Sequence, residues 1–175
     1  MHCSSFPPVA RADARILILG SMPGVASLRA GQYYAHPRNL FWPFMGRLFG
    51  AEPALSYAER LAIVQAQGIA IWDVLASCER PGSLDGRIVR ATEVANDFAA
   101  FRRRHRRLER IVLNGGKAAE AFARHVGRPQ AAAVQGLTLI VVPSTSPANA
   151  SQSVASKLER WHAALVSTAP PAASS

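Results

Sequence analysis

Four short apolar runs, residues 15–19 (RILIL), 69–72 (IAIW), 110–113 (RIVL) and 137–142 (LTLIVV), set the strongest limit on how this chain folds. Each is about one strand long, and none alternates polar with apolar residues. A strand that reads apolar on both sides has both faces covered, as in a parallel sheet packed between helices. Stretches of helical spacing separate the runs. Residues 57–67 place Leu61 and Val64 on one side, and residues 92–105 do the same with Val94, Phe98 and Phe101, with Thr92 as the expected cap. Residues 116–126 follow the third run directly. Residues 153–166 follow the fourth, with Val154, Leu158, Trp161 and Leu165 in register. Alternating strand and helix predict an α/β fold, a three-layer α/β/α sandwich with a central four-stranded parallel sheet.

A chain of 175 residues buries one core without staples. We therefore expect a single domain over residues 14–166, a flexible N-terminus over 1–13 and a disordered Ser/Pro/Ala tail over 167–175. The first residues lack the basic start and apolar stretch of a secretory signal, and no run reaches the roughly 20 apolar residues of a membrane span. A cytoplasmic protein with no membrane contact is expected. Cys3 and Cys78 make no disulfide framework and fall short of the four ligands of an iron–sulfur cluster. The histidines, at 2, 36, 105, 125 and 162, show no metal-binding spacing, and no Ser sits in Gly-x-Ser-x-Gly. No metal and no cofactor are expected. The net charge of +9 points to a polyanionic partner, most simply nucleic acid. An arginine-biased composition is the competing account, since 18 of the 20 basic residues are Arg. The run Arg102-Arg103-Arg104-His105-Arg106-Arg107 reads more readily as the solvated end of a helix than as a dedicated DNA contact.

In open parallel sheets, ligands bind at the carboxyl ends of the strands, so the loops after Leu19, Trp72, Leu113 and Val142 should share a cleft. The first holds Gly20, Ser21, Met22, Pro23 and Gly24, whose glycines permit a sharp turn and close approach to a ligand. Shortly after comes YYAHPRNLFW, residues 33–42. Tyr34 is suited to stacking on a flat base, and Asn39 either holds a water by its oxygen, reads a base edge, or caps the following helix. His36 and Arg38 flank it, while Phe41 and Trp42 read as core. After the second strand, Asp73 is either a general base or a buried partner for a donor, and Cys78 reads as packing. After the third, Asn114-Gly115-Gly116-Lys117 opens a helix whose N–H groups suit a phosphate, without the residue order of a P-loop. The fourth loop, Ser144, Thr145, Ser146, Pro147, Ala148 and Asn149, is stiff and rich in donors, suited to DNA phosphates.

GSMPG, YYAHPRNLFW, GIAIWDVLASCERPGSLDGRI, VLNGGKA and VPSTSPANA, in that order, resemble the uracil-DNA glycosylase superfamily, and most closely its hypoxanthine-DNA (deoxyinosine) glycosylase branch. The likeness runs from about Ile16 to Trp161. It implies a monofunctional enzyme that hydrolyses the bond between a damaged base and deoxyribose in double-stranded DNA, acting as a monomer in base excision repair. The resemblance implies an essential catalytic role for Asn39 and a stacking role for Tyr34, while the reading of the loops adds Asp73 and His36 as catalytic partners and Gly20, Ser21, Met22, Pro23, Gly24 and Asn114 as substrate contacts. Arg38, Lys117 and residues 144–149 would hold the DNA. Mismatch-specific uracil enzymes carry Asn where this chain has Met22, and the main uracil enzymes open the last loop with His where it has Val142. Two other readings remain beside this one: a broader glycosylase for uracil and other deaminated bases, and a module that binds damaged DNA without cleaving it. An unrelated nucleotide-binding α/β protein is a further alternative.

Overall fold

The computed structural model describes residues 1–82 and 84–166; the tail expected over 167–175 lies outside the described residues. In chain order the elements are β1 (His2–Ser4), β2 (Ile16–Gly20), α1 (Val25–Ala30), α2 (Phe41–Phe49), α3 (Tyr57–Ala66), β3 (Ile69–Asp73) and β4 (Leu75–Glu79). Two 3₁₀ turns follow, then β5 (Val94–Ala95), α4 (Phe98–Arg104), β6 (Arg110–Asn114), α5 (Gly116–Phe122), α6 (Ala131–Val134), β7 (Thr138–Val142) and α7 (Val154–Val166). The four apolar runs become β2, β3, β6 and β7, paired in parallel in the order β3-β2-β6-β7.

Strand parity divides the core into two layers. Leu17, Leu19, Ala70, Trp72, Ile111 and Leu113 point into one cluster with Phe98, Phe101, Phe122 and Val126. Ile18, Ile69, Ile71 and Val112 point the other way, into Phe41, Phe44, Met45, Trp161 and Leu165. Helices α4 and α5 cover the first face and α2 and α7 the second, which makes the three-layer α/β/α sandwich. Edge strand β7 departs from the expected double coverage: Leu139 and Val141 are 47% and 45% exposed, while Val142 is buried. The helical layer ends short of them. The Val141 carbonyl at this edge instead accepts from the Arg160 guanidinium (3.2 Å), a common way of blunting an open edge.

Three expectations need correction. The N-terminus is not frayed: β1 pairs antiparallel with β4, Cys3 opposite Cys78, and both cysteines are buried. Val9 bridges to Ile71, tying the next residues to the main sheet. This small second sheet, β1-β4-β5, escaped notice because HCS and LASCE carry too few apolar residues to read as strands. The helix expected over 92–105 starts only at Phe98, with the Asp97 carboxylate capping the Ala100 N–H (2.8 Å). Val94 and Ala95 pair with β4 instead, and the Thr92 hydroxyl accepts from the Glu79 N–H (2.8 Å), so Thr92 is no cap. The helix over 116–126 also changes character, passing into a π-helical turn at Ala123–Gly127.

Trp161 fills the α7 side of the core at 0% exposure, edge-on to Phe41, and its indole N–H donates to the Pro143 carbonyl (2.9 Å). Trp161→Phe leaves that carbonyl without its donor and opens a void. We expect a loss of about 2 kcal/mol or more, read as a lower urea midpoint at unchanged slope. An unchanged midpoint would show that Trp161 is not a keystone.

Candidate active site

Parallel register sets Gly20 beside Asp73 at the carboxyl ends of β2 and β3. Packing there is so close that a Cβ on Gly20 would lie 2.7 Å from Asp73 Oδ1 and 3.5 Å from the Tyr34 hydroxyl. The turn, the buried carboxylate of Asp73 (3% exposed) and the proposed base platform therefore meet at one point. Three further hydrogen bonds fix the strand ends: Val74 and Leu75 donate their N–H groups to the Gly20 and Ser21 carbonyls, and Asn96 Nδ2 donates to the Asp73 carbonyl.

Tyr33 and Tyr34 divide the labour of the aromatic segment. Tyr33 is the buried anchor: its hydroxyl reaches the Phe6 and Pro7 carbonyls, its N–H donates to the Tyr57 hydroxyl, and its carbonyl accepts from Trp42 Nε1. Burial, and then the nearby Asp73 charge, push its phenol far above the ordinary tyrosine range. Tyr34 follows with φ 57°, a left-handed backbone that a bulky residue adopts only at some cost in strain, of order 1–3 kcal/mol. That twist turns its half-buried ring onto Phe41, stacked at 4.0 Å, while its hydroxyl faces Gly20. Phe41 and Trp42 are core, as expected.

Residues 36–39 form a tight turn in which Asn39 N–H donates to the His36 carbonyl and Arg38 N–H donates to His36 Nδ1 (3.1 Å). His36 thus has one ring nitrogen engaged within the turn, and Arg38 is exposed. Asn39 serves the start of α2, the structural role expected of it. Its Oδ1 accepts from the Phe41 N–H (2.9 Å), capping α2, while its Nδ2 meets no acceptor among the described residues. The carboxamide is held in one orientation with a second lone pair and an amine edge left for solvent or substrate.

The last two loops are joined by a buried clamp. Asn114 Nδ2 donates to Thr145 Oγ1 (3.0 Å), and Thr145 N–H donates back to Asn114 Oδ1 (3.0 Å). The Thr145 carbonyl accepts from the Leu40 N–H, next to Asn39. Two expectations change as a result. Thr145, at 0% exposure, is a structural pin with no surface to offer DNA. Asn114 spends both ends of its carboxamide on that pin, which explains why a polar side chain stands at the end of a buried strand. The side chain of Met22 also belongs to the core (5% exposed), so a ligand contact from this position runs through its backbone.

Around the clamp, the Ser144 and Ser146 hydroxyl oxygens accept from the Ser146 and Ala148 N–H groups, which leaves each O–H able to donate outward. Pro147 and Ala148 are exposed at the tip. Asn149 Nδ2 donates to the Ser144 carbonyl (3.4 Å), closing the loop. Gly115 answers a close approach, since a Cβ there would lie 2.7 Å from Ser144 Cβ. Lys117 pairs with Glu120 and, with Ser21, Leu75, Arg90 and Glu93, helps line a cleft of about 70 Å³ that neither Tyr34 nor Asn39 touches. The Arg102–Arg107 run precedes β6 and so lies at the amino end of the sheet, away from these loops.

Two residues that the motifs did not single out support the site from behind. Arg80, fully buried, donates from Nη2 to the Pro23 carbonyl (2.6 Å) and from Nε to the Gly82 carbonyl. The Pro23–Gly24 peptide is trans, so its N–H points away from Arg80. Lys157, 2% exposed, donates from Nζ to the Ser144 carbonyl (3.2 Å) and to the Asn149 carbonyl. Burial holds its ammonium below the usual lysine range. Lys157 had a signal in the sequence: it sits one turn before Trp161 on the apolar side of α7. Arg80 had none.

A family model described as the Uracil DNA glycosylase superfamily matches residues 7–165. The chain is 36% identical over 121 residues to a hypoxanthine DNA glycosylase of Methanosarcina barkeri (strain Fusaro), covering 69% of this chain and 75% of the relative. It is 35% identical over 145 residues to a hypoxanthine DNA glycosylase of Methanosarcina acetivorans, covering 82% and 86%. Among solved structures, a proposed uracil DNA glycosylase from M. acetivorans superposes with a TM-score of 0.77 at 33% identity, over 94% of this chain and 97% of that one.

Gly20→Ala drives a methyl group into Asp73, and we expect a stability loss of about 1–3 kcal/mol by thermal unfolding; an unshifted midpoint would mean that the contact relaxes freely. A second expectation concerns alkaline pH. Tyr33 and Tyr57 are both held protonated, chiefly by burial. Raised native values mean stability that is fully present below the unfolded phenol value near 10 and is lost as pH climbs above it toward the native values. Tyrosinate absorbance of the native protein should therefore lag, with Tyr33 ionising only on unfolding and Tyr57 later than a free phenol. Three tyrosinates in a folded protein near pH 10 would contradict this.

Proposed function

The chain belongs to the uracil DNA glycosylase superfamily, and from that premise we propose that it removes deaminated bases from double-stranded DNA, chiefly hypoxanthine, as a monomer in the cytoplasm. The observation that carries this reading is the convergence at Gly20. The left-handed Tyr34, the buried Asp73 and the turn of residues 20–24 share one point, and Asn39 is tied through Leu40 and Thr145 to the loop of residues 144–149.

The target nucleotide leaves the duplex stack at a cost of a few kcal/mol, less for a weak pair such as hypoxanthine–cytosine. Its base stacks on the face of Tyr34 that Phe41 does not cover, and backbone N–H groups of the 20–24 turn bond its O6. Arg80, by holding the Pro23 carbonyl, keeps the Gly24 N–H turned away from the protein interior. As the C1′–N bond breaks, the base leaves with the bonding pair and the sugar acquires oxocarbenium character. The Asp73 carboxylate favours that positive charge, while the turn donors favour the departing base. Asn39, its orientation set by the Phe41 N–H, aligns the water that adds to C1′, and the proton that water gives up passes through solvent to the departed base anion; His36 shapes the turn that carries Asn39. The products are free base and an abasic site. Arg38, Lys117, Ser144, Ser146 and Asn149 grip phosphates, with Pro147 and Ala148 at the loop tip against the helix.

A broader glycosylase that also accepts uracil is the second reading, favoured by the uracil name of the solved relative. Against it stands Val142, buried at 2% exposure where the main uracil enzymes would need a histidine. Duplexes bearing hypoxanthine, uracil or xanthine, incubated with the protein and then cleaved with alkali, separate the two. Release of hypoxanthine well ahead of uracil is expected, and no abasic sites from any of them would end the reading. In the same assay Asn39→Ala should bind DNA yet lose base release by about two orders of magnitude; near-normal turnover removes Asn39 from the mechanism.

A further inference from the structure

We propose that Lys157 is the positioning residue of the loop that grips DNA, holding residues 144–149 in a binding-ready shape from beneath without itself meeting a phosphate. This rests on the glycosylase reading only in assigning that loop to DNA. Lys157 lies on α7 one turn before Trp161, where an aliphatic side chain would pack at no electrostatic cost. It is instead an ammonium at 2% exposure, and among the described residues no carboxylate pairs with it. Burying a charge in that way costs several kcal/mol unless its donors are satisfied. Two of its three N–H donors are taken by the Ser144 and Asn149 carbonyls, the two ends of one loop. A single cation thus closes the loop across its base, as a metal ion closes a chelate.

The direction of those bonds matters. With both end carbonyls drawn inward, the loop turns its remaining groups to solvent. Ser144 Oγ and Ser146 Oγ accept from N–H groups inside the loop and keep their O–H bonds for an outside acceptor. Thr145, between them, is pinned to Asn114 and Leu40. Without the cation, the two end carbonyls lose their shared donor, which leaves the long Asn149 Nδ2 bond to the Ser144 carbonyl (3.4 Å) and the Asn149 N–H bond to the Ser146 carbonyl to hold the Asn149 end to the pinned Thr145. The loop would then sample many shapes and have to be ordered anew at each encounter with DNA, which weakens binding without altering the chemistry.

The full chain carrying Lys157→Met is compared with the unaltered protein on lesion-free and on hypoxanthine-bearing duplexes. For Lys157→Met we expect the Kd for both duplexes to rise on the order of tenfold or more. The single-turnover rate at saturating DNA should fall no more than about threefold. The slope of log Kd against log salt should not change. A slope shallower by about 0.9 would mean that Lys157 contacts a phosphate directly, and would overturn the proposal. So would an unchanged Kd, or a lost rate at unchanged Kd. If Lys157→Met unfolds at assay temperature, Lys157→Gln, which keeps a donor but not the charge, is measured the same way and should show a smaller rise at the same slope. The lesion-free arm keeps this test separate from the proposed activity, whose own failure shows as an absence of abasic sites with the unaltered protein.

Discussion

Two hydrogen bonds between Asn114 and Thr145 carry the geometry of the whole carboxyl end of the sheet. Asn114 closes β6, Thr145 lies just past β7, and the Thr145 carbonyl takes the N–H of Leu40 at the start of α2. Three segments distant in sequence therefore meet in one small, fully buried residue. Each of these polar groups, if left without its partner, would cost about 1–3 kcal/mol, so the arrangement forms together or not at all. Asn39 inherits its place from this clamp, because the residue that follows it is the one Thr145 holds.

The walls of the cleft obey a common electrostatic logic. Arg80 behind the first turn and Lys157 behind the last loop both aim cationic donors at backbone carbonyls. Peptide dipoles fixed in this way present their N–H ends elsewhere, which suits a surface that meets phosphates and a departing anionic base. The Asp73 carboxylate lies close under Gly20, where a methyl group would not fit. Glycine is required there for want of room, since its backbone does not need a left-handed φ.

The main sheet was legible because each of its strands is apolar on both faces, and that pattern survives in a one-dimensional reading. The small antiparallel sheet was not, because Cys3 and Cys78 bury themselves in short polar stretches whose pairing depends on residues far away in sequence. Thr92 misled as a helix cap because a hydroxyl satisfies a strand N–H as readily as a helix N-terminus. Within the candidate site, residue type and spacing picked out Gly20, Tyr34 and Asp73, which the fold brings into contact. Type and spacing did not separate Thr145 from its neighbours, since burial is a property of three-dimensional neighbours and Ser144, Thr145 and Ser146 share one chemistry. Arg80 stayed hidden for the converse reason: an arginine beside Pro-Gly reads as surface, and only its contact with the Pro23 carbonyl shows otherwise.

The pairing of β1 with β4 has a consequence for how the chain is made. On a ribosome, Cys3 has emerged long before its partner Cys78 exists, and Ile16 must wait for Ile69 on one side and Arg110 on the other. The central strand of the sheet is thus synthesised early and completed late, with apolar faces and open edges bare in the interval. Such non-local pairing folds slowly and exposes sticky intermediates. The molecule is at its most vulnerable as a nascent chain, which is the stage at which a chaperone that shields bare strands would protect it.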